Sequence, residues 1–142
     1  MEYFASEALI NARASTVWEV ITDAGNLTVW ESGITAIDGE LRNGGTIRIK
    51  TADAGGRTLR LRVQQMPGEV MTWTSRRPLG LLKRTRTFTL SLRAGLTHLT
   101  VREEVTGPLA AFLGNTRPDT SRHLDEYVHA VTNRAELLDR AS

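Results

Sequence analysis

The stretch from Gly33 to Gly107 constrains the fold most, because turns divide it into short runs in which apolar and polar residues alternate. The turns are Asn43-Gly44-Gly45, Asp53-Ala54-Gly55-Gly56, Pro67-Gly68-Glu69, Arg77-Pro78-Leu79-Gly80 and Ala94-Gly95. Alternation with period two is typical of β-strands, and connections this short leave no room for crossover helices. The stretch is therefore predicted to form six successive antiparallel strands.

The alternation also predicts one dry and one wet face of the sheet. In two neighbouring runs, the apolar residues of one face are Ile47, Ile49, Leu59, Leu61 and Val63, and the polar residues of the other are Arg48, Lys50, Arg60, Arg62 and Gln64. A sheet with one apolar face must cover that face with another element.

Helices are predicted on both sides of this stretch. A strand from Tyr3 to Ile10 leads into a helix from Thr16 to Thr22 with Ser15 as N-cap, followed by a second short helical turn that carries Leu27 and Trp30. From Pro118 onward, an apolar stripe with helical spacing indicates a long amphipathic helix. The stripe consists of Leu124, Tyr127, Val128, Val131, Ala135 and Leu138.

These elements predict an α+β fold in which a curved, seven-stranded antiparallel sheet wraps around the long C-terminal helix. The 142 residues, 40% of them hydrophobic, fit a single domain over residues 1–142. A cysteine count of zero excludes disulfides and thiolate chemistry, and a net charge of +2 gives no reason to expect nucleic-acid binding. With neither a leader-like start nor a long apolar run, we expect a cytoplasmic protein without stable membrane insertion, as a monomer or weak homodimer.

The succession of several short motifs resembles the START-like (Bet v 1-like, SRPBCC) superfamily, in particular its bacterial polyketide cyclase/dehydrase and lipid-transport branch. The resemblance covers nearly the whole chain and is carried by Ile10-Asn11-Ala12, Val17-Trp18, Thr22-Asp23, Trp30, Val63-Gln64-Gln65-Met66-Pro67-Gly68, Trp73, the run from Thr97 to Gly107, and the terminal helix. One departure is Arg13, where the family commonly has a proline. The resemblance implies a helix-grip fold, with a cavity between sheet and helix for lipids, polyketides or related molecules.

The final hairpin predicts one charged pair on the apolar face. A two-residue turn at Ala94-Gly95 pairs Arg93 with Leu96, and counting back from there places Arg86 opposite Glu103. Residues directly opposed across strands are close enough for an ion pair. The pair is either a polar group that orients a ligand inside the cavity or a structural pair at the open rim of the sheet.

Trp73 is predicted to lie on the same face, because a three-residue loop pairs Met66 with Val70 and thereby Trp73 with Val63. It is interpreted either as a ligand contact with an indole N–H donor or as plain core. Together with the helix stripe and the resemblance, this register gives a predicted set of ligand-contacting residues. The set is Trp30, Leu61, Val63, Trp73, Arg86, Phe88, Leu90, Leu99, Val101, Glu103, Tyr127, Val128 and Val131.

No motif commits the chain to a cofactor, a metal or a nucleophile. His123 and His129 are six residues apart on the predicted helix, whereas metal-binding pairs on helices use a spacing of three or four. The glycine pairs lack the Lys-Ser/Thr and the helix that follow a phosphate-binding loop. Neither a metal site nor a cofactor is expected.

Three functions remain open at this point. The first is binding or transport of a small hydrophobic ligand in the cavity. The second is a polyketide aromatase/cyclase, with Glu103 as acid/base and Arg86 as oxyanion stabiliser. The third is a protein-interaction module that uses the basic convex face formed by Arg48, Lys50, Arg60 and Arg62.

Overall fold

A computed structural model of the chain describes residues 2–51, 58–110 and 117–141. Within these ranges the strands are β1 (Glu2–Ile10), β2 (Ile34–Asp38), β3 (Thr46–Thr51), β4 (Thr58–Met66), β5 (Val70–Arg76), β6 (Lys83–Arg93) and β7 (Leu96–Thr106). The α-helices are α1 (Ala14–Thr22) and α2 (Arg117–Ala141), and single 3-10 turns lie at Ala24–Asn26 and Pro78–Gly80. The predicted α+β fold is confirmed.

The strands form one antiparallel sheet in the order β1-β7-β6-β5-β4-β3-β2. From β2 to β7 each strand pairs with the next along the chain, and β1 returns to pair with β7. The edges of the described sheet are therefore β1 and β2. The curved sheet holds the long helix α2 against its apolar face.

The predicted strand registers are confirmed. Arg93 pairs with Leu96, and the turn residues Ala94 and Gly95 have φ values of 52° and 79°. Both turn positions thus adopt the left-handed conformation that a tight type I′ hairpin requires. The three-residue turn after Met66 likewise pairs that residue with Val70.

The start of α1 differs from the prediction. The helix begins at Ala14, and the N-cap is Arg13, whose extended backbone places its carbonyl oxygen to accept bonds from the amides of Thr16 and Val17. Ser15 is not the cap, because the backbone turns into the helix two residues before the predicted position. The second predicted helix is limited to the 3-10 turn Ala24–Asn26.

Helix α2 buries its stripe in the core, with Leu124, Val131 and Ala135 fully buried. The prediction that Leu138 belongs to this core is wrong, since 38% of it is exposed. Near this end of the helix, Glu136 and Asp139 make polar contacts with the connection between β1 and α1.

The C-terminal end of α2 is held by the connection between β1 and α1. Glu136 accepts a hydrogen bond from the backbone N–H of Asn11 at 2.9 Å. Asp139 accepts from Arg13 Nε at 2.7 Å and from the Thr16 hydroxyl at 2.8 Å. Helix α2 packs mainly on β1 and α1.

Candidate functional site

A cavity of about 760 Å³ lies between the first half of α2 and strands β2 to β7. One wall is apolar and consists of Ile34, Ile49, Leu59 and Leu61. A second wall, on β5 and β6 and the turn between them, carries Arg76, Arg77, Leu82 and Arg84. Trp73, Arg86, Glu103 and Tyr127 line the cavity between these walls.

A row of three residues across β5, β6 and β7 forms the polar centre of the site. The register places Trp73 opposite Arg86, and Arg86 opposite Glu103. The neighbouring row on the same face, Met71, Phe88 and Val101, is entirely apolar and fully buried. The row with Trp73, Arg86 and Glu103 is therefore bounded by solid core on one side.

The predicted contact between Arg86 and Glu103 is present. Arg86 donates to Oε1 of Glu103 from Nε at 3.3 Å and from Nη2 at 3.1 Å. Glu103 is buried, with 4% of its surface exposed, whereas 26% of the Arg86 side chain is accessible. Both bonds use Oε1, so Oε2 keeps its capacity to accept a hydrogen bond.

Two further donors that line the cavity have no hydrogen-bond partner among the described residues. They are the indole Nε1–H of Trp73 and the hydroxyl of Tyr127, and each residue is only 2% exposed. Buried donors in proteins are nearly always paired. Two such donors on residues of one cavity, Trp73 on the sheet and Tyr127 on α2, are typical of a site that is completed by a ligand.

Aromatic contacts fix the position of these donors. The ring of Phe88 lies 4.8 Å from that of Trp73 and 5.8 Å from that of Tyr127, both between ring centroids. Trp30 approaches Tyr127 from the other side at 5.8 Å. Tilted and edge-on packing at such distances is favourable and restricts the rings.

Burial raises the pKa of the Tyr127 hydroxyl well above its ordinary value, and the positive charge of Arg86 opposes part of that rise. A buried phenolate is disfavoured because it loses its hydration. The hydroxyl therefore keeps its proton throughout the physiological range and acts in the cavity as a neutral donor.

The structure shows which of the predicted ligand-contacting residues line the cavity and which do not. Those that line the cavity are Leu61, Trp73, Arg86, Glu103 and Tyr127. Those that pack in the buried core outside the cavity lining are Val63, Phe88, Leu90, Leu99, Val101, Val128 and Val131. Trp30 is partly buried and packs against that core.

The sequence did not predict the second wall of the cavity, which we call the basic wall because it carries Arg76, Arg77 and Arg84. Arg84 precedes Arg86 by two residues on β6 and therefore shares its face, so the same period-two counting contained the signal. Arg76 and Arg77 lie where β5 ends and gave no such signal. Ile49 had been assigned to the apolar face but not to the cavity.

The histidines do not form a cluster. His98 lies 3.3 Å from Glu7, His129 lies 3.3 Å from Asn133, and His123 lines the cavity. Within residues 2–51, 58–110 and 117–141, no group of three or more His, Asp or Glu side chains is arranged to hold a metal ion.

On the convex face, β3 and β4 are neighbours as predicted, with Arg48 opposite Arg60. A protein partner for this basic face remains a prediction. In the part of the chain that the structure describes, no helix has the length and apolar character needed to span a membrane.

A seven-stranded antiparallel sheet curved around one long helix, with a short helix after the first strand, defines a protein of the helix-grip, Bet v 1-like class. The chain belongs to the polyketide cyclase / dehydrase and lipid transport family, whose model matches residues 1–136. A search of curated proteins finds no sequence that matches the chain.

Solved structures share the fold at low sequence identity. The di-domain aromatase/cyclase StfQ of the steffimycin biosynthetic pathway has a TM-score of 0.79 and 16% identity over 98% of this chain. The match covers 52% of StfQ, so this chain spans about half of that protein. The Zhui aromatase/cyclase from Streptomyces sp. R1128 has a TM-score of 0.77 and 17% identity, covering 95% of this chain and 93% of its own.

The same fold also occurs in the Aha1 dimer from Colwellia psychrerythraea, with a TM-score of 0.70 and 15% identity over 96% of this chain and 98% of that one. At such identities the likeness shows the fold alone. The function has to be argued from the cavity.

Proposed function

We propose that the protein binds a small, largely apolar molecule with carbonyl or hydroxyl oxygens in the cavity between α2 and the sheet. The observation that carries this proposal is that two residues of the cavity lining, Trp73 and Tyr127, each carry a buried donor with no hydrogen-bond partner among the described residues. A volume of about 760 Å³ falls within the usual range of small-molecule sites, ~300 to 1,000 Å³.

A ligand gains free energy by satisfying these donors. A buried donor without a partner costs ~1 to 3 kcal/mol relative to a paired one, and a ligand oxygen that accepts its hydrogen bond removes that cost. The apolar wall adds the free energy of removing ligand hydrocarbon from water, ~25 cal/mol per Å². Apolar molecules that carry a few hydrogen-bond acceptors satisfy both requirements. Polyketides and lipids, the two kinds of molecule in the family's name, belong to this class.

Matched probes test the proposal. In calorimetric titrations, we expect 9-fluorenone to bind more tightly than fluorene, which has the same rings without the carbonyl. Tyr127→Phe and Trp73→Phe should each weaken fluorenone binding ~2- to 10-fold, the value of one neutral hydrogen bond, and leave fluorene binding nearly unchanged.

Two control variants remove the same groups outside the cavity. Tyr3→Phe alters an exposed tyrosine on β1, and Trp18→Phe alters a partly buried tryptophan on α1; neither residue lines the cavity. Both should bind fluorenone like the unaltered protein. Equal affinity for the two probes, or equal loss in the control variants, would overturn the assignment of these donors.

A second candidate function is an aromatase/cyclase acting on a poly-β-carbonyl chain. The observation that favours it is the buried Glu103 carboxylate on the same cavity lining as the two donors. StfQ and Zhui are aromatase/cyclases, which supports the candidate only through the shared fold.

In this mechanism, Glu103 removes a proton from a methylene group between two carbonyls. The Tyr127 hydroxyl and the Trp73 indole N–H stabilise the enolate oxygen, together with the guanidinium of Arg86. The enolate carbon then bonds to a second carbonyl carbon, and the oxygen of that carbonyl takes up the proton from Glu103. Loss of the new hydroxyl with a second α-proton releases water and leaves a carbon–carbon double bond.

Product analysis in a reconstituted synthase tests this candidate. Glu103→Gln should shift products from the cyclised, dehydrated compound to the spontaneous cyclisation products, and Arg86→Ala should do the same to a smaller extent. An unchanged product profile for Glu103→Gln, with fluorenone binding intact, would leave the protein as a binding or transport protein.

A further inference from the structure

We propose, building on the function above, that the ligand carries an anionic head group, a carboxylate or a phosphate ester, and that Arg84 binds it. The head group then lies at the β5–β6 wall, and the apolar part of the ligand extends towards Ile49 and Leu61. This assigns the cavity an amphipathic, acidic ligand instead of a neutral one.

Arg84 provides the main support for this proposal. It lies two residues before Arg86 on β6, so both residues lie on the inward face of the sheet, and Arg84 lines the cavity. Its Nε is buried and has no hydrogen-bond partner among residues 2–51, 58–110 and 117–141. The residues opposite it are Ser75 on β5 and Val105 on β7, and neither carries a charge.

Arg84 differs from Arg86 in having no carboxylate opposite it on β7. Arg86 faces Glu103 in the same register, and that carboxylate satisfies two of its N–H groups. Val105 occupies the corresponding position for Arg84. A guanidinium matches the geometry of carboxylate and phosphate oxygens, so an anionic ligand would supply the partner that β7 does not.

The neighbouring charges strengthen the positive wall. Arg76 and Arg77 also line the cavity. In the described part of the chain, no ion pair joins either arginine to an acidic residue, so their charges add to that of Arg84 at this end of the cavity.

The acidic residues on the cavity lining do not neutralise this wall. Glu103 is paired with Arg86, and Glu126 lies 3.7 Å from Arg122 on α2. Glu31 precedes β2, the far edge strand, and three strands separate β2 from β6. Along the sheet, β2 is therefore four strand spacings of ~4.8 Å from β6.

Three ligands with the same chain test the proposal by calorimetry: laurate, dodecyl phosphate and dodecanol. We expect laurate or dodecyl phosphate to bind at least ~10-fold more tightly than dodecanol, as for one charge-assisted, bidentate contact. Whichever anion binds more tightly identifies the head group. Arg84→Gln should remove this preference, and Arg84→Lys should restore part of it.

The matched control is Arg93→Gln, which removes an arginine from the exposed end of the same strand, outside the cavity lining. It should retain the preference for anions. The affinity of the unaltered protein for laurate should also fall with added salt while that for dodecanol does not. This salt test holds even if Arg84→Gln does not fold.

The outcomes separate the two proposals. Equal binding of all three ligands, or a preference for anions that Arg93→Gln removes as strongly as Arg84→Gln, would overturn the role of Arg84. The cavity would then still be a binding site. Failure of every probe, fluorenone included, would overturn the proposed function, and the anionic ligand with it.

Discussion

Arg86 and Glu103 face each other across β6 and β7, and the guanidinium donates two hydrogen bonds to one oxygen of a carboxylate that is almost fully buried. Among the described residues, Arg86 is the one cation that forms an ion pair with this carboxylate. The pair should therefore contribute to the stability of the fold as well as to the polarity of the cavity.

Removing only the cation should therefore destabilise the protein. We expect Arg86→Leu to lower the free energy of unfolding by ~3 kcal/mol, the low end for a broken buried pair because a quarter of the arginine is accessible. The double variant Arg86→Leu/Glu103→Leu should recover most of that loss, since no unpaired buried charge remains. Urea denaturation measures both, and a double variant less stable than the single one would contradict this account.

Tyr127→Phe should have the opposite effect on the ligand-free protein. The variant removes a buried hydroxyl that has no partner among the described residues, so we expect unchanged or higher stability, by up to ~1 kcal/mol. A loss of more than ~1 kcal/mol in thermal or urea unfolding would show that the hydroxyl already has a structural partner.

The two isoleucines of β3 test the position of the cavity. Ile47 and Ile49 lie on the same face and are both buried, but only Ile49 lines the cavity. Ile47→Phe should overpack the core and cost ~1 to 3 kcal/mol, whereas Ile49→Phe should cost less because the ring can enter the cavity. Ile49→Phe should also weaken fluorenone binding. Equal stability losses in urea unfolding would contradict the assigned cavity.

Val131→Phe should behave like Ile47→Phe. The sequence placed Val131 among the predicted ligand-contacting residues, but the residue is fully buried and does not line the cavity. We expect the overpacking loss of ~1 to 3 kcal/mol in urea unfolding, with the ligand affinity of the folded fraction retained.

The ends of the α2 stripe should respond differently to truncation. Leu124 is fully buried and Leu138 is 38% exposed. Leu124→Ala should cost ~2 to 5 kcal/mol, the usual range for a buried leucine, and Leu138→Ala less than ~1 kcal/mol. Comparable losses in urea unfolding would show that the last turn of the helix is packed more tightly than the structure indicates.

Asp139 should make the attachment of α2 sensitive to acid. Hydrogen bonds from the side chains of Arg13 and Thr16 hold the pKa of Asp139 below its ordinary value of 3.8. A lowered pKa in the folded state stabilises the protein above the unfolded pKa, and this contribution is lost as the pH falls through the folded pKa. Asp139→Asn should therefore be less stable than the unaltered protein at pH 7, with the difference closing below pH 3.8.

Thermal melting over a pH series measures this difference. Asp125→Asn is the matched control, since Asp125 is exposed on the same helix and makes no contact of this kind. It should show no such dependence on pH. A constant difference between Asp139→Asn and the unaltered protein from pH 7 to pH 3 would contradict a role for the ionised carboxylate.

The sequence by itself determined the strands, the pairing of β2 to β7 in succession and the face on which their side chains lie, whereas the pairing of β1 with β7 was not predicted. Tight turns such as Ala94-Gly95 admit one register, and side chains alternate strictly along a strand, so the positions of Arg86, Glu103 and Trp73 relative to one another followed from counting. The helix stripe predicted α2 in the same way, apart from its last turn.

Only the tertiary structure decided which inward residues line the cavity and which form solid core. Ile47 and Ile49, or Leu61 and Val63, are equivalent in the alternation, because a period of two encodes the face of a strand and not the distance to the element that covers it. That distance depends on how α2 lies across the sheet. Contacts between residues more than a hundred positions apart, such as Glu136 with Asn11 and Asp139 with Arg13, hold one end of the helix and leave space beside the other.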